Sequence, residues 1–278
     1  MKKPLLEQAM SPEVLDQAWR RLRREHTPWS VTVSRDSLEH HLLAHILSCR
    51  EDILGGRYRP QPIRQFTMQK PNGKKRILSA QYLRDKLIQR ALLIVLEPRA
   101  EKLFHADSYA YRPGRSVAMA LAKTRERIRI GQAWLADADI HTFFDSIPHK
   151  PLLRSLKKFI GDARTMLLIE KWLAQGAHHS SLLRTRRGIS QGAVLSPLFC
   201  NLYLTSFDQA LARKSIPFVR FADDFLLFAD SRVKAEKALE FASLELNKLG
   251  LQLHPEKTRV VRSGPKVIFL GEKLPHPP

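Results

Sequence analysis

Phe218-Val219-Arg220-Phe221-Ala222-Asp223-Asp224-Phe225-Leu226-Leu227-Phe228 sets two short apolar runs, rich in strand formers, on either side of two adjacent aspartates. Apolar runs of this length with aromatics read as buried strands, so the carboxylates fall at the bend of a hairpin. A tight hairpin usually carries Asn-Gly or Asp-Gly at its bend, and this one has no glycine. Two carboxylates held ~4 Å apart near a surface repel by roughly 4 kcal/mol at an effective dielectric of 20. A divalent cation would offset that repulsion. Asp-Asp on its own is more often a solvated acidic turn, so the reading depends on what the rest of the chain supplies.

The chain has 278 residues, enough for one large domain or two closely packed ones, and 44% apolar content supports a core. Lys and Arg number 47 against 27 Asp and Glu, a formal net charge of +20. Such an excess favours a polyanionic partner, nucleic acid first. A merely soluble basic protein, or one that touches anionic lipid, is the bland alternative. No apolar run approaches membrane-spanning length, and the start at Met1-Lys2-Lys3-Pro4 lacks the apolar core of a signal peptide. Cys49 and Cys200 are the only cysteines, which excludes a disulfide framework and a cysteine-based zinc site. A cytoplasmic, nucleic-acid-facing protein with no membrane partner is expected.

Residues 1–50 read as a helical, basic N-terminal extension. Ser11-Pro12-Glu13 starts a helix running to Arg24, and Ser37 is expected to cap a second helix carrying Leu38, Leu42, His45 and Ile46. His40, His41 and His45 lack a carboxylate or cysteine at ligand spacing, so they read as a helix face. Gly55-Gly56 ends that helix. Residues 63–68 and 76–78 alternate as two strands around the basic turn Lys70-Pro71-Asn72-Gly73-Lys74-Lys75. Leu83 to Leu96 has helical spacing, with Pro98 closing the helix. Arg112 and Arg115 flank a turn that opens a basic helix, an arrangement suited to phosphate.

Trp134 to Ile140 reads as a strand with Asp139 at its end. A tight turn follows, then a helix whose buried stripe is Leu152, Leu153, Leu156 and Phe159, and a second helix over residues 163–173. The glycine-punctuated loop Gly188 to Pro197 feeds an apolar helix, Leu198 to Leu211. Beyond the Asp-Asp hairpin come a helix from Val233 to Leu249, strands at 251–253 and 259–261, and a last strand from Val267 to Gly271. If the strands bearing Asp139 and Asp223-Asp224 are neighbours in one sheet, three carboxylates converge on one edge. Oxygen-only ligands of this kind select Mg²⁺, and paired ions of that type serve phosphoryl transfer.

The ordered series resembles the reverse transcriptases, most closely the group II intron-like bacterial branch. Tyr58-x-Pro60, Lys70-Pro71-x-Gly73-Lys74-x-Arg76 and Asp85-x-x-x-Gln89-Arg90-Ala91 look like that branch's fingers. Ser108-Tyr109-x-Tyr111-Arg112-Pro113-Gly114-Arg115-Ser116 looks like its second block. Asp139-Ile140-x-x-x-Phe144-Asp145-x-Ile147-x-His149 matches the first catalytic motif. Gly188-x-x-Gln191-Gly192-x-x-Leu195-Ser196-Pro197-x-x-x-Asn201 matches the template-and-nucleotide loop. Phe221-Ala222-Asp223-Asp224 is the catalytic hairpin, and Gly250-Leu251-x-Leu253-x-x-x-Lys257-Thr258 with Phe269-Leu270-Gly271 completes the palm. The likeness covers roughly residues 50–271.

The resemblance implies an α+β right-hand polymerase, its palm an antiparallel sheet packed on helices, with no evident thumb. Fingers would span 51–130 and palm 131–278, with residues about 150–190 helical at their junction. The implied activity is RNA-directed DNA synthesis by two-metal nucleotidyl transfer, with Asp139, Asp223 and Asp224 catalytic. Those aspartates and the Ile140 carbonyl would hold Mg²⁺, with Mn²⁺ as a substitute. Lys74 and Arg76 would hold the incoming triphosphate, Gln191 and Gly192 would line the nucleotide pocket, and Phe144 would stack under the sugar and exclude a 2′-hydroxyl. Arg112, Arg115 and Lys257 are placed on nucleic acid, Lys257 near the active site. Partners would be an RNA template, a DNA or RNA primer and dNTPs, with a CRISPR adaptation integrase or a thumb-supplying protein beside them.

Two substitutions depart from the family pattern: Phe221 replaces a usual tyrosine, and Ser190 a usual proline, which is expected to loosen its loop. The biological settings implied are CRISPR spacer acquisition from RNA or a group II intron-derived role. The alternative from another class is a catalytically silent RNA-binding or maturase-like splicing cofactor, which would need none of the three aspartates.

Overall fold

The computed structural model describes residues 3–69, 75–175, 178–179 and 186–277. Helices α1 (Leu5–Ala9), α2 (Pro12–Leu22), α3 (Arg35–His40) and α4 (Leu42–Leu54) lead into the hairpin β1 (Arg64–Gln69) and β2 (Lys75–Ala80). Next come α5 (Leu83–Ala100), α6 (Val117–Arg129), β3 (Trp134–Asp139), α7 (Phe143–Ser146), α8 (His149–Ile160) and α9 (Ala163–Gln175). The small pair β4 (His178–His179) and β5 (Arg186–Arg187) precedes α10 (Ser196–Arg213), β6 (Phe218–Phe221), β7 (Asp224–Ala229) and α11 (Arg232–Lys248). Strands β8 (Arg259–Arg262), β9 (Ile268–Phe269) and β10 (Glu272–Lys273) close the series. The result is a mixed helix-and-sheet fold whose strand pairs are antiparallel.

Two compact units interleave along the chain, one of Met1–Lys102 with His149–Phe199, the other of Leu103–Pro148 with Cys200–Pro278. In the first, the Ser11 hydroxyl caps α2 by accepting from the Val14 N–H at 3.4 Å, and Pro12 occupies the first turn, where its missing N–H costs nothing. Leu15, Ala18 and Leu22 form the buried stripe that sets α2 against α5.

Several sequence expectations shift. Ser34, not Ser37, caps the next helix, because its hydroxyl accepts from the Ser37 N–H at 3.1 Å, and the helical stretch breaks at His41 into α3 and α4. Pro98 does not end α5, which runs on to Ala100; burial of Ala100 holds the last turn against the single lost backbone bond. On α8 the fully buried stripe is His149, Leu152, Leu156 and Ile160, with Leu153 and Phe159 only half-buried. Residues 251–253 make an isolated bridge, Ile140 to Leu253, rather than a strand. The expected last strand is instead a small hairpin, β9 with β10, turning at Leu270 and Gly271, both at positive φ.

The second unit is built on a four-stranded sheet in the order β6-β7-β3-β8. Paired residues in antiparallel strands share a face and alternate along each strand. One face therefore carries Leu135, Asp137 and Asp139 of β3 opposite Phe228, Leu226 and Asp224 of β7. At its apolar end Leu135, Leu226 and Phe228 join a core with Leu121, Ile128 and Phe269. The opposite face carries Phe225 and, paired with it, Arg220; the Phe225 ring stands edge-on to Phe207 of α10, centroids 5.4 Å apart.

No helix among the described residues is long and apolar enough to cross a membrane.

Candidate active site

The core-facing side of the sheet changes from hydrocarbon to carboxylate within one strand length. Asp139 and Asp224 are directly paired across β3 and β7, and the Ile140 N–H donates to the Asp223 carbonyl at 3.1 Å. The three aspartates singled out in the sequence thus share one edge. Between β6 and β7, Ala222 has φ +62°, at the first central position of a two-residue bend, where glycine is usual. An L-residue held there costs roughly 1–2 kcal/mol, so neighbouring contacts must hold the bend.

Burial raises the Asp224 carboxyl to about 7, and the Asp137, Asp139 and Asp223 charges push the same way against Lys257. Burial likewise raises Asp137, a fourth carboxylate whose Oδ2 accepts from Arg259 Nε at 3.0 Å. Lys257 donates to Asp139 Oδ2 at 2.9 Å, and this hydrogen bond is the main cause of its raised pKa. The edge carries an excess of negative charge, with the Lys257 ammonium lodged against the Asp139 carboxylate, and a divalent cation would offset that excess. Among the described residues no three His, Cys, Asp or Glu side chains enclose a metal site by themselves. Mg²⁺ takes one or two carboxylates and keeps waters and substrate phosphates as its other ligands.

Under the opposite face lies Arg220, with relative exposure of 0%. Its Nε donates to Asp208 Oδ1 at 2.7 Å and Nη2 to Asp208 Oδ2 at 2.6 Å. Nη2 also reaches Ser108 Oγ at 2.8 Å, while Nη1 reaches Asn201 Oδ1 at 3.2 Å and the Ala222 carbonyl at 2.9 Å. A guanidinium has five N–H donors, and these contacts use them all. Asn201 in turn donates to the Ala110 carbonyl at 2.8 Å. The only charge interrupting the apolar run of β6 was the signal for this cluster. Its partner, Asp208, lies on a helix that the sequence did not connect to it.

Phe144 is half-buried, its ring edge-on to the buried Phe143 at 5.7 Å. Thr142, which starts that short helix, has φ +43°. Arg112 is buried and donates to the carbonyls of His105 at 2.7 Å and Ser108 at 2.5 Å, contacts that brace the 105–112 loop. Arg115 is half-exposed and lies over the Tyr109 ring at 5.5 Å.

Gln191, Gly192 and Arg76 belong to the other compact unit. Arg76 stands opposite Met68 in the β1–β2 register, and Lys74 lies outside the described residues. The Gln191 loop is tied by Leu195 N–H to Gln89 Oε1 at 3.3 Å and by Ser196 Oγ to the Ser190 carbonyl at 2.8 Å. At its start, the Gly188 carbonyl pairs with His149 Nε2 at 2.7 Å, and burial lowers the His149 pKa. Asp137 and Arg259 were absent from the sequence-based site; their signal was the period of two that puts residue 137 on the face of 139.

A family model described as reverse transcriptase (RNA-dependent DNA polymerase) matches residues 68–274. Protein YkfC of Escherichia coli (strain K12) is 31% identical, over 90% of this chain and 76% of its own length. Group II intron-encoded protein LtrA of Lactococcus lactis subsp. cremoris is 37% identical over 61% of this chain, but that match spans only 28% of LtrA. Among solved structures, a chain of a partial Cas6-RT-Cas1–Cas2 complex matches with TM-score 0.51 and 26% identity, over 88% of this chain and 43% of that one. Telomerase from Candida albicans, in complex with a TWJ fragment of telomeric RNA, matches with TM-score 0.57, over 88% of this chain and 50% of that one. At 13% identity the last likeness is one of fold.

Proposed function

The chain belongs to the reverse transcriptase family, and from that premise we propose that it is an RNA-directed DNA polymerase that extends a primer on an RNA template with dNTPs. The observation that carries the proposal is the pairing of Asp139 with Asp224 at one sheet edge, with Asp223 tied by its carbonyl to Ile140, the residue that follows β3. A silent RNA-binding or splicing cofactor would not need that concentration of carboxylate, so catalysis is the reading it supports.

Asp139 and Asp223, with Asp224 and the Ile140 carbonyl beside them, would hold Mg²⁺. When bound, such ions lower the pKa of the attacking 3′-hydroxyl and neutralise the leaving pyrophosphate. The protein's own work is placement: the paired strands fix the carboxylates, and Lys257 keeps the Asp139 side chain oriented. Phe144 presents a partly exposed ring for the sugar. Arg76 and Lys74 at the hairpin would grip the triphosphate; Gln191 and Gly192 would line the nucleotide pocket; Arg115 would contact backbone phosphate. The unit that carries the sheet corresponds to the palm and the β1–β2 hairpin to the fingers. The proposed setting is cytoplasmic. The likeness to a Cas6-RT-Cas1–Cas2 chain favours a CRISPR adaptation integrase as partner, and the match to LtrA leaves a group II intron-derived role as the second setting.

Primer extension on an RNA template across a range of Mg²⁺ tests the proposal. Asp139→Asn and Asp223→Asn should each abolish extension while leaving the melting temperature near wild type or higher, since each relieves carboxylate repulsion. Wild-type extension rates in either variant would refute the site.

A further inference from the structure

The bend that presents Asp223 has an unfavourable backbone at Ala222, no glycine, and the like charges of Asp224 and its strand partner Asp139 beside it. What holds it lies on the far face of the sheet. Arg220 is paired with Phe225, so its side chain leaves the sheet away from Asp139 and Asp224, into a site with no exposure to solvent. There the guanidinium is immobilised by a bidentate pair with Asp208 and by Ser108 and Asn201, and its remaining donor reaches the Ala222 carbonyl. The main chain of Arg220 is pinned as well: its N–H donates to the Asp107 carbonyl at 2.9 Å and its carbonyl accepts from the Tyr109 N–H at 2.9 Å.

We propose that Arg220 is a positioning residue, whose guanidinium fixes the Ala222 peptide from beneath the sheet and thereby sets where Asp223 stands. The inference deepens the proposed polymerase reading and rests on it. An ion pair needed only for folding would be satisfied by Asp208 alone. Here a rigid planar fork connects α10, the 108–110 segment and the peptide next to the catalytic aspartate. Lysine could not substitute, because one ammonium cannot make the bidentate pair and still reach the carbonyl in a fixed direction.

Two variants test this, Arg220→Lys and the charge-free double change Arg220→Met with Asp208→Leu, since an apolar replacement of a buried pair usually leaves stability near neutral. Each is followed by thermal melting, by Mn²⁺ binding read from the free-ion EPR signal, and by primer extension over a range of Mg²⁺. The folded variants should bind Mn²⁺ about tenfold more weakly, and the Mg²⁺ midpoint for extension should move by the same factor, with the KM for primer–template unchanged. A merely structural role would lower the melting temperature and the active fraction and leave both metal midpoints in place. Wild-type metal midpoints in either folded variant would overturn the proposal. A wild-type protein that extends no primer would instead overturn the polymerase reading, so the two failures are distinguishable.

Discussion

At the scale of single residues, side chains of the same type differ by what the fold places beside them. Asp85 is buried, accepts from Tyr58 Oη at 2.5 Å and from the Gln61 N–H at 2.8 Å, and yet burial still raises its carboxyl from 3.8 to about 6. Between those values the folded state keeps a proton that the unfolded chain releases. This stabilising contribution is complete below pH ~3.8 and is lost as pH rises through about 6. Relative to Asp85→Asn, wild type should therefore lose up to about 3 kcal/mol between pH 4 and pH 7. Urea melts of both proteins across that range check it; a constant gap would mean Asp85 is ionised throughout. Phe144 makes a second residue-scale prediction. Filling the space of a ribose 2′-hydroxyl costs ~1–3 kcal/mol, about 5- to 150-fold in rate. Phe144→Ala should raise ribonucleotide incorporation by a factor in that range, with a far smaller effect on the matching deoxynucleotide. An unchanged ratio of the two efficiencies would make the ring ordinary packing. The places of Asp139 at the end of β3 and of Asp223 and Asp224 at the β6–β7 bend were legible because apolar runs local to each of them mark the strands. The contacts of Arg112 with the His105 and Ser108 carbonyls were not legible, because a basic residue at a turn reads the same whatever its guanidinium meets.

Elements were legible in proportion to how local their causes are. The cap of α2 and the hairpin of β6 and β7 depend on neighbours in sequence, and both stand where the sequence put them. The extension of α5 past Pro98 and the reduction of 251–253 to a single bridge depend on partners far along the chain, which no local pattern encodes. The end of α11 shows both influences. Gly250 donates to the Asn247 carbonyl at 2.9 Å and Leu251 to that of Leu246 at 3.0 Å, the paired bonds of a Schellman stop. Gly250 has φ +71°, and a Cβ there would lie 3.2 Å from Pro148 Cγ. Gly131 has φ +92° with open space around it. Gly131→Ala should cost only the backbone strain, about 1 kcal/mol. Gly250→Ala adds crowding and should cost about 1 kcal/mol more, a further loss of roughly 2–4 °C in melting temperature. Equal losses at the two positions would mean that Pro148 moves aside freely.

For the whole molecule the governing quantity is charge, and its distribution decides what it does. On α2, α6 and α11 some cations are matched within a turn: Arg20 with Asp16, Lys123 with Glu126, Arg232 with Glu236, Lys248 with Glu245. Such pairs hold little charge in reserve for a polyanion. Helix α8 differs, because Lys150, Arg154, Lys157 and Lys158 are exposed and the helix contains no acidic residue. Like charges at this spacing destabilise an isolated helix by a few tenths of a kcal/mol per pair, so the ridge is a standing cost unless phosphate neutralises it. The net charge of +20 then predicts binding to primer–template that weakens steeply with salt, the logarithmic slope being about −0.9 per phosphate neutralised on duplex. Reversing Lys150, Arg154 and Lys157 to glutamate should flatten that slope by about 2–3 units. Reversing Arg232, Lys234 and Lys248, which already hold acidic partners, should change it by less than about one. Both sets alter net charge equally, so the comparison separates a local contact from a diffuse field. Equal flattening by the two sets would mean that only total charge matters, whereas a wild-type slope near zero would remove nucleic-acid phosphate as the main partner of this surface.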